Sequence, residues 1–323
     1  MTRGWLASLL LLVTPVFAAP VESLKLVSEH PVDGMVGGNL SGLAVCDGRL
    51  WTVSDRDDEV LYRLDTAQRV WKAEPQAFKA PEPHSDLPLN LRSLATMSSV
   101  VRGGSLDFEG VSCDAAGNRY VVSEAYGSVL KVSPQGQASW LPLPADMVTQ
   151  ARDKGMLQHF NAIFEGIAVN PAGDRLWLAA ERDKRGLLVA RREGEQWQCG
   201  RGCVLLSEAE QGAAVPNGHK PVNRDFADLS LHNGKLFTLE RSIYQICRRT
   251  LDTGRVERCW SFRDEARLPS RRYDQAYGLT EALVVDETGA WVGTDNNFGA
   301  RADGEKRPVV WRFAAPKAGW SAP

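Results

Sequence analysis

Short apolar runs separated by polar turns recur along this chain of 323 residues. Five times, an apolar residue followed by a small or acidic residue opens such a run, and the next run ends on an acid about 14 residues later. The openings lie at residues 40–43, 108–111, 164–167, 226–229 and 280–283. Because they recur about every 60 residues and are built from β-like runs, the pattern predicts an all-β protein of the β-propeller class.

Each predicted blade has four strands, except the last, which lacks its fourth strand. Residues 24–27 are β-like and belong to no blade, so we expect them to pair with residues 309–313 and close the ring. The repeat count predicts five blades. Six is the alternative, with the sixth in residues 79–104 or 144–163, which are rich in Pro, Gly and Ser or, at 145–154, helical in pattern. Residues 196–206 are predicted as one outer strand.

The first residues have the pattern of a secretory signal peptide. Arg3 is followed by an apolar stretch too short to cross a bilayer and by small residues typical of a cleavage site near Ala18. We therefore predict a signal peptide at 1–18, a single propeller domain at 19–323, and a periplasmic or secreted protein without a membrane anchor.

The charge balance bears on the kind of partner. Without Arg3 the chain has 37 Lys and Arg against 40 Asp and Glu, a formal charge of −3. This balance disfavours a nucleic-acid surface and favours a small molecule, an ion or another protein as the partner. We expect a small anionic substrate or ligand and a monomeric protein. The sequence has neither Gly-x-Ser-x-Gly nor His-Glu-x-x-His, which disfavours an α/β-hydrolase esterase and a zinc protease.

Six cysteines in an exported chain favour disulfides. The turn at residues 252–254 would place Cys247 across from Cys259, and two glycines would let Cys199 meet Cys203. The remaining pair, Cys46 and Cys113, ends the first strands of neighbouring blades and would join them. The alternative for each pair is two buried thiols.

A first set of acids opens the predicted blades. It consists of Glu109, Glu165 and Glu281, with Asp107 two residues before the first of them. Carboxylates converging on a channel repel one another unless a cation lies among them, and oxygen ligands suit Ca²⁺. The alternative is that these acids accept hydrogen bonds from backbone N–H groups of the adjacent blade and hold the ring together.

A second set of acids ends the next strands, and three of its members are followed by arginine. The pairs are Asp55 with Arg56, Glu181 with Arg182, and Glu240 with Arg241, while Glu124 and Asp295 have no adjacent arginine. One hypothesis is a ring of charge pairs between blades. The other is an anion cradle, in which Arg56, Arg182 and Arg241 stabilise developing charge and Glu124 or Glu181 orients a water.

Several of these phrases resemble the phytase-like family of exported bacterial proteins, described as having an esterase-like activity of phytase. The phrases are LSGLA at 40–44 with VSDRD at 53–57, DFEGV at 107–111, FEGIA at 164–168 with ER at 181–182, and EAL at 281–283 with GTDNN at 293–297. Blade four departs from the pattern, with Ala227-Asp228 in place of Glu-Gly.

The resemblance implies a β-propeller, calcium and phosphoester chemistry, by kinship with propeller phytases, which usually have six blades. We therefore expect a calcium-dependent phosphoester or ester hydrolase whose site lies on the loop-rich rim. The alternative is a non-catalytic propeller that binds a ligand or a protein and contains a structural calcium ion.

Overall fold

The apolar runs form strands that group into five sheet units and an N-terminal segment. The computed structural model describes residues 21–208, 212–213, 222–274 and 279–322. The predicted signal peptide at 1–18 lies outside these residues. The chain begins with β1 (Glu22–Ser23) and β2 (Leu26–Asp33), which we call the N-terminal strap, residues 22–33.

The sheet units follow in chain order. Unit 1 comprises β3 (Gly42–Cys46), β4 (Arg49–Val53), β5 (Val60–Asp65) and β6 (Trp71–Ala77), and is followed by helix α1 (Leu89–Arg102). Unit 2 comprises β7 (Phe108–Cys113), β8 (Arg119–Ser123), β9 (Ser128–Val132) and β10 (Ala138–Trp140), and is followed by α2 (Met147–Asp153). Unit 3 comprises β11 (Phe164–Val169), β12 (Arg175–Ala180), β13 (Gly186–Glu193), β14 (Gln196–Gln198) and β15 (Val204–Ser207).

The second half of the chain repeats this plan. A small hairpin of β16 (Gly212–Ala213) and β17 (Val222–Asn223) precedes unit 4. Unit 4 comprises β18 (Asp228–His232), β19 (Lys235–Glu240), β20 (Gln245–Arg249) and β21 (Val256–Ser261), and is followed by α3 (Arg263–Ala266). Unit 5 comprises β22 (Thr280–Asp286), β23 (Gly289–Thr294) and β24 (Val309–Ala314). Within each unit, strands that are consecutive along the chain pair antiparallel, with one exception. In unit 3, β14 and β15 do not pair with each other, and both pair antiparallel with β13.

The units form a closed, propeller-like ring. Their first strands contact one another in the order β3, β7, β11, β18 and β22, and β22 contacts β3 again. The core is divided into five apolar clusters, each between two consecutive units. Alternation along a strand explains the division, because Leu43 packs toward unit 5 while its neighbour Ala44 packs toward unit 2.

Close approach of the first strands explains the glycine that follows each leading glutamate in units 2 and 3. A Cβ at Gly110 would lie 2.6 Å from the carbonyl oxygen of Glu165, and a Cβ at Gly166 would lie 2.6 Å from the Cα of Asp228. Only glycine fits such contacts without displacing the neighbouring backbone. The recurrent Glu-Gly phrase is therefore a consequence of strands meeting near one axis.

The N-terminal strap closes the ring as the sequence predicted, over a longer stretch. Residues Leu26 to Pro31 pair antiparallel with β24 and supply the fourth strand of unit 5. The strap then continues, and Val32 and Asp33 pair in parallel with β6 of unit 1. At its other end, β1 pairs in parallel with β21 of unit 4. One segment therefore joins the outer edges of three units.

All three predicted disulfides are present and confirm the pairing. Cys46 and Cys113 join units 1 and 2, with Cα atoms 5.7 Å apart, and the other two bridges lie within unit 3 and unit 4. The predicted outer strand at 196–206 is wrong in one respect: it is interrupted by a loop that Cys199–Cys203 closes, so that β14 and β15 are separate strands, both antiparallel to β13. No helix among the described residues is long and apolar enough to cross a membrane.

The loop lengths that the disulfides close lead to a stability prediction. Cys46 and Cys113 are 67 residues apart, whereas Cys199 and Cys203 are 4 apart. Because a disulfide restricts the unfolded chain more when its loop is longer, replacing Cys46 and Cys113 with alanine should cost about 2 kcal/mol more unfolding free energy than replacing Cys199 and Cys203. Urea unfolding of the two double variants measures the difference, and equal losses would contradict the prediction.

Candidate functional site

An acidic cavity lies at the end of the ring where the first strands begin and the second strands end. Its volume is about 570 Å³. The acids around it are Asp55, Glu109, Glu124, Glu165, Glu181, Asp183, Asp225, Glu281 and Asp295, and the basic residues are Arg56, Arg102, Arg182 and Arg241. Among the described residues, nine carboxylates therefore face four guanidinium groups. The cavity has an excess of negative charge.

Irregular pairing places the leading glutamates in this cavity. The ladder between β7 and β8 shifts register between Phe108 and Gly110, so that Glu109 is the extra residue of a bulge. The same shift occurs around Glu165 and around Glu281. A bulge redirects a side chain at the end of a strand, which explains why these acids point into the cavity although their neighbours are apolar core residues.

Asp55, Asp107 and Glu109 form the first carboxylate triad, with ligand atoms that all lie within 4.8 Å of one another. Asp107 accepts a hydrogen bond from Arg102, the last residue of α1, while its Oδ1 has no partner among the described residues. Burial raises the pKa of Asp107 to about 7. Burial and the charge of Glu165 raise the pKa of Glu109 well above its usual range.

Asp55 follows the end of β4 in unit 1, where two hydrogen bonds fix its position. Ser41 stands where units 2 and 3 have a leading glutamate, and its hydroxyl accepts a hydrogen bond from the backbone N–H of Asp55 at 3.1 Å. The side chain of Asn39 donates to Asp55 Oδ1 at 3.0 Å. Burial raises the pKa of the Asp55 carboxyl. A member of the second predicted set thus lies beside the glutamate that opens the next unit, Glu109.

Glu124, Glu165 and Glu181 form the second carboxylate triad, also with ligand atoms within 4.8 Å of one another. Glu124 Oε1 accepts a hydrogen bond from the backbone N–H of Ile163 at 3.0 Å, which joins units 2 and 3. Glu165 has no hydrogen-bond partner among the described residues. Burial and neighbouring carboxylates raise the pKa values of Glu124 and Glu165 well above the usual range, and burial raises the pKa of Glu181 to about 8.

Arg241 is held by three carboxylates from three units. Its Nε donates to Asp225 at 2.6 Å and its NH2 to Glu181 at 2.5 Å, while its NH1 donates to Glu281. Glu281 therefore pairs with an arginine and lies in neither triad. The Arg241 side chain is only 12% exposed. At this position the structure agrees with the hypothesis of charge pairs between units, because three carboxylates already occupy the guanidinium.

The other two predicted arginines each have a single carboxylate partner among the described residues. Arg182 donates to Glu181 and to the backbone carbonyl of Asn161, and its side chain is 34% exposed. Arg56 lies 3.6 Å from Asp55 and donates to the backbone carbonyl of Arg102 at 2.8 Å. Both arginines line the cavity.

Two further acids, Glu240 of the second predicted set and Asp228, do not line the cavity and form contacts between units. Glu240 accepts hydrogen bonds from Arg185 at 2.9 Å and Arg249 at 2.8 Å, in a buried network between units 3 and 4. Asp228, the residue in place of glycine in unit 4, accepts the backbone N–H of Leu283 in unit 5 at 2.7 Å. The alternative of acids bonded to an adjacent unit therefore describes Asp228.

The structure distributes the predicted site residues over three groups. Asp107 and Glu109 lie in the first triad, Glu165 lies in the second triad with Glu124 and Glu181, and Glu281 lies with Arg241. Sequence analysis missed Arg102, Asn161 and Asp183, which also line the cavity. Arg102 and Asn161 lie in connections between units and Asp183 lies in the turn between β12 and β13, where the repeat pattern has no counterpart that could have revealed them.

The donor atoms of both triads suit a hard cation. Each triad offers only carboxylate oxygens from buried side chains, and each includes one buried oxygen without a partner among the described residues, Asp107 Oδ1 or Glu181 Oε2. Ca²⁺ binds six to eight oxygens and accepts carboxylates in one- or two-oxygen contacts, whereas zinc sites favour nitrogen and sulfur. The triads therefore fit Ca²⁺.

Comparisons with solved structures show likeness in fold. The glutaminyl cyclase of Myxococcus xanthus is 12% identical, and the match covers 91% of this chain and 97% of that one with a TM-score of 0.50. The PQQ-bound aldose sugar dehydrogenase of Streptomyces coelicolor is 11% identical over 92% and 100%, with a TM-score of 0.48. Virginiamycin B lyase from Staphylococcus aureus is 14% identical over 91% and 75%, with a TM-score of 0.39.

A search of curated proteins finds no match. The family model "Phytase-like: Esterase-like activity of phytase", in contrast, matches residues 36–294. This range contains both carboxylate triads and all strands of the five sheet units except β24. The chain therefore belongs to the phytase-like family.

Proposed function

We propose that this protein is an exported, five-bladed β-propeller that binds Ca²⁺ in the acidic cavity and hydrolyses phosphoesters there. The cyclic contacts of five first strands and the five apolar clusters between units support the blade number. The three disulfides support an oxidising compartment outside the cytosol.

The observation that carries the proposal is the pair of buried carboxylate triads in a cavity with nine acids and four arginines. Buried carboxylates without counter-charges are unfavourable, so they must either take up protons or surround a cation. Burial raises the pKa values of Glu109 and Glu165, and so does a neighbouring carboxylate, Glu165 for Glu109 and Glu181 for Glu165, as expected of a cation site without its cation. An anionic phosphoester would be repelled by the cavity without such a cation.

Different residues would then bind Ca²⁺, contact the phosphoester and orient a water. Asp55, Asp107, Glu109 and Glu165 would hold Ca²⁺, which supplies positive charge next to the phosphoryl oxygens and polarises them. Arg182 is the guanidinium best able to reach a ligand, since it is 34% exposed whereas Arg241 is 12% exposed. Glu181 is held by two arginines. Glu124 is the better group to orient a water, because described residues occupy only its Oε1.

Hydrolysis assays on the purified protein test the proposal. The assays use three substrates, a phosphomonoester, a phosphodiester and a carboxyl ester, each with Ca²⁺ and with a chelator. The Glu109→Gln and Glu165→Gln variants are assayed under the same conditions. We expect turnover of a phosphoester that requires Ca²⁺ and falls tenfold or more in either variant, about 1.4 kcal/mol or more of transition-state stabilisation. The Glu193→Gln variant is the matched control, because Glu193 is exposed and ends β13, which runs away from the cavity end of β12.

A second candidate function is a non-catalytic propeller with a structural Ca²⁺. The contacts of Arg241 favour this second candidate, because they join units 3, 4 and 5 at the cavity. Three acids of the cavity, Glu181, Asp225 and Glu281, are thereby paired with an arginine. The same assays separate the two candidates. Absence of turnover, together with a melting temperature that falls on chelation, would support the structural ion and reject the hydrolase.

A further inference from the structure

An exposed apolar surface lies beside the acidic cavity. We call it the apolar rim patch, and it consists of Val36, Leu89, Met97, Val100, Val101 and Phe298, whose exposed fractions lie between 68% and 90%. Seven large apolar residues among the described ones are exposed by 65% or more, and six of them belong to this patch; the seventh, Val27, lies in β2. Such clustering is typical of a binding surface, whereas single exposed apolar residues are ordinary.

Arg56 connects the patch with the cavity. This residue lines the cavity, and its guanidinium lies 4.5 Å from the centre of the Phe298 ring. It also donates to the carbonyl of Arg102, directly after Val101 in α1. On the other side, Gly37 packs so closely on Arg56 that a Cβ there would lie 2.6 Å from the Cβ of Arg56, which places Val36 beside it. The patch and the cavity mouth are therefore continuous around Arg56.

Two features of the patch are unusual for a protein surface in water: the outward apolar residues of α1 and the backbone conformation of Phe298. Helix α1 buries only Leu91 and Ala95, while Met97, Val100 and Val101 are turned outward. Phe298 has a φ of +57°, in the left-handed region that bulky residues avoid, and its ring is 69% exposed. Both features hold apolar groups next to the cavity mouth, where a ligand of the cavity would cover them.

We infer that the apolar rim patch binds the alkyl or aryl group of a ligand whose polar head enters the acidic cavity. The substrate class is then a monomeric amphiphilic phosphoester, and for the head group this inference rests on the proposed function. The charges favour such an occupant, since Arg56 lies at the border where the anionic ester group would meet the apolar chain. An anionic bilayer is disfavoured, because it would face nine acids.

Binding measurements with a chain-length series test the inference. Inorganic phosphate, butyl phosphate and octyl phosphate are titrated into the Ca²⁺-loaded protein below the concentrations at which they form micelles. Methyl and octyl glucoside form a second series with a neutral head group. We expect octyl phosphate to bind at least tenfold more tightly than inorganic phosphate, because burial of CH₂ groups adds affinity.

The double variant Val100→Ser/Val101→Ser should lose most of that gain while its affinity for inorganic phosphate stays within twofold of the unchanged protein. Both residues are more than 80% exposed, so the fold does not depend on them. Val27→Ser, also exposed but away from the patch, should keep the full gain. Affinities that do not depend on chain length in either series would overturn the inference, as would binding to phospholipid vesicles without a chain-length effect for monomers.

The two series separate this inference from the proposed function. If phosphate fails to bind but octyl glucoside binds more tightly than methyl glucoside and loses that gain in the double variant, the proposed head-group chemistry is wrong and the patch is supported. If phosphate binds and the chain adds nothing, the proposed function stands and the patch is rejected.

Discussion

Replacing Arg241 with methionine is expected to lower the free energy of unfolding by about 3–5 kcal/mol, the cost of leaving buried charges without their partner. The guanidinium contacts Glu181, Asp225 and Glu281, whose side chains are 1%, 7% and 11% exposed. Methionine has a similar length but no charge, so the three carboxylates would have to take up protons or repel one another. Urea unfolding at pH 7.5 measures the loss, which should be smaller at pH 5, where protonation is easier.

The matched control is Arg191→Met. Arg191 lies 3.5 Å from Asp252, and the two side chains are 58% and 76% exposed. Solvent screens such a pair, so the control should change the free energy of unfolding by less than about 1 kcal/mol. A loss in the Arg241 variant no larger than in the control would show that Arg241 is not the counter-charge of this cluster.

The metal-free protein is expected to become less stable as the pH rises from 5 to 8, and Ca²⁺ should remove most of that loss. Burial raises the pKa of Asp107 to about 7 and that of Asp295 to about 8. The unfolded chain releases these protons near pH 4, whereas the folded chain keeps them up to pH 7 or 8. The folded state therefore binds more protons in this window, and its stability decreases by about 3 kcal/mol or more across it.

Urea unfolding of extensively dialysed protein at pH 5, 6, 7 and 8, with and without added Ca²⁺, measures this dependence. Ca²⁺ should displace the protons from the triads and flatten the curve. The Asp295→Asn variant provides a control, since it removes one raised pKa and should reduce the slope in metal-free protein. Stability that increases with pH in the absence of Ca²⁺ would contradict the arrangement of protonated acids described above.

The ring was predictable because its signature is local. The Glu-Gly phrases at 109–110 and 165–166 recur where first strands approach one another, and this approach imposes glycine in the sequence. The disulfides were predictable for the same reason, since Cys247 and Cys259 flank one hairpin and pair in register. Helix 145–154 was also predicted, and α2 lies at Met147–Asp153. In each case, residues close in sequence or equivalent in the repeat determine the contact.

Only part of the grouping of the acids follows the repeat. Each triad joins an acid that ends a second strand, Asp55 or Glu124, to the glutamate that opens the next unit, but the third members, Asp107 and Glu181, are not equivalent. Arg241 finds carboxylates from three units, and only the closed ring brings these together. Helix α1 escaped prediction because its apolar residues face outward, so the pattern of a core-facing helix is absent.

The N-terminal strap makes the order of synthesis matter for folding. Its residues are made before those of the five units, yet their main partner, β24, is the last strand of the described chain. Until β24 has been synthesised, the strap cannot pair with unit 5. The outer edges of units 4 and 1 become covered only when the strap binds across all three units. A chain that stops early would thus stay an open arc with unpaired edges, exposed to proteases and to other chains. The ring can therefore close only after all five units have been synthesised.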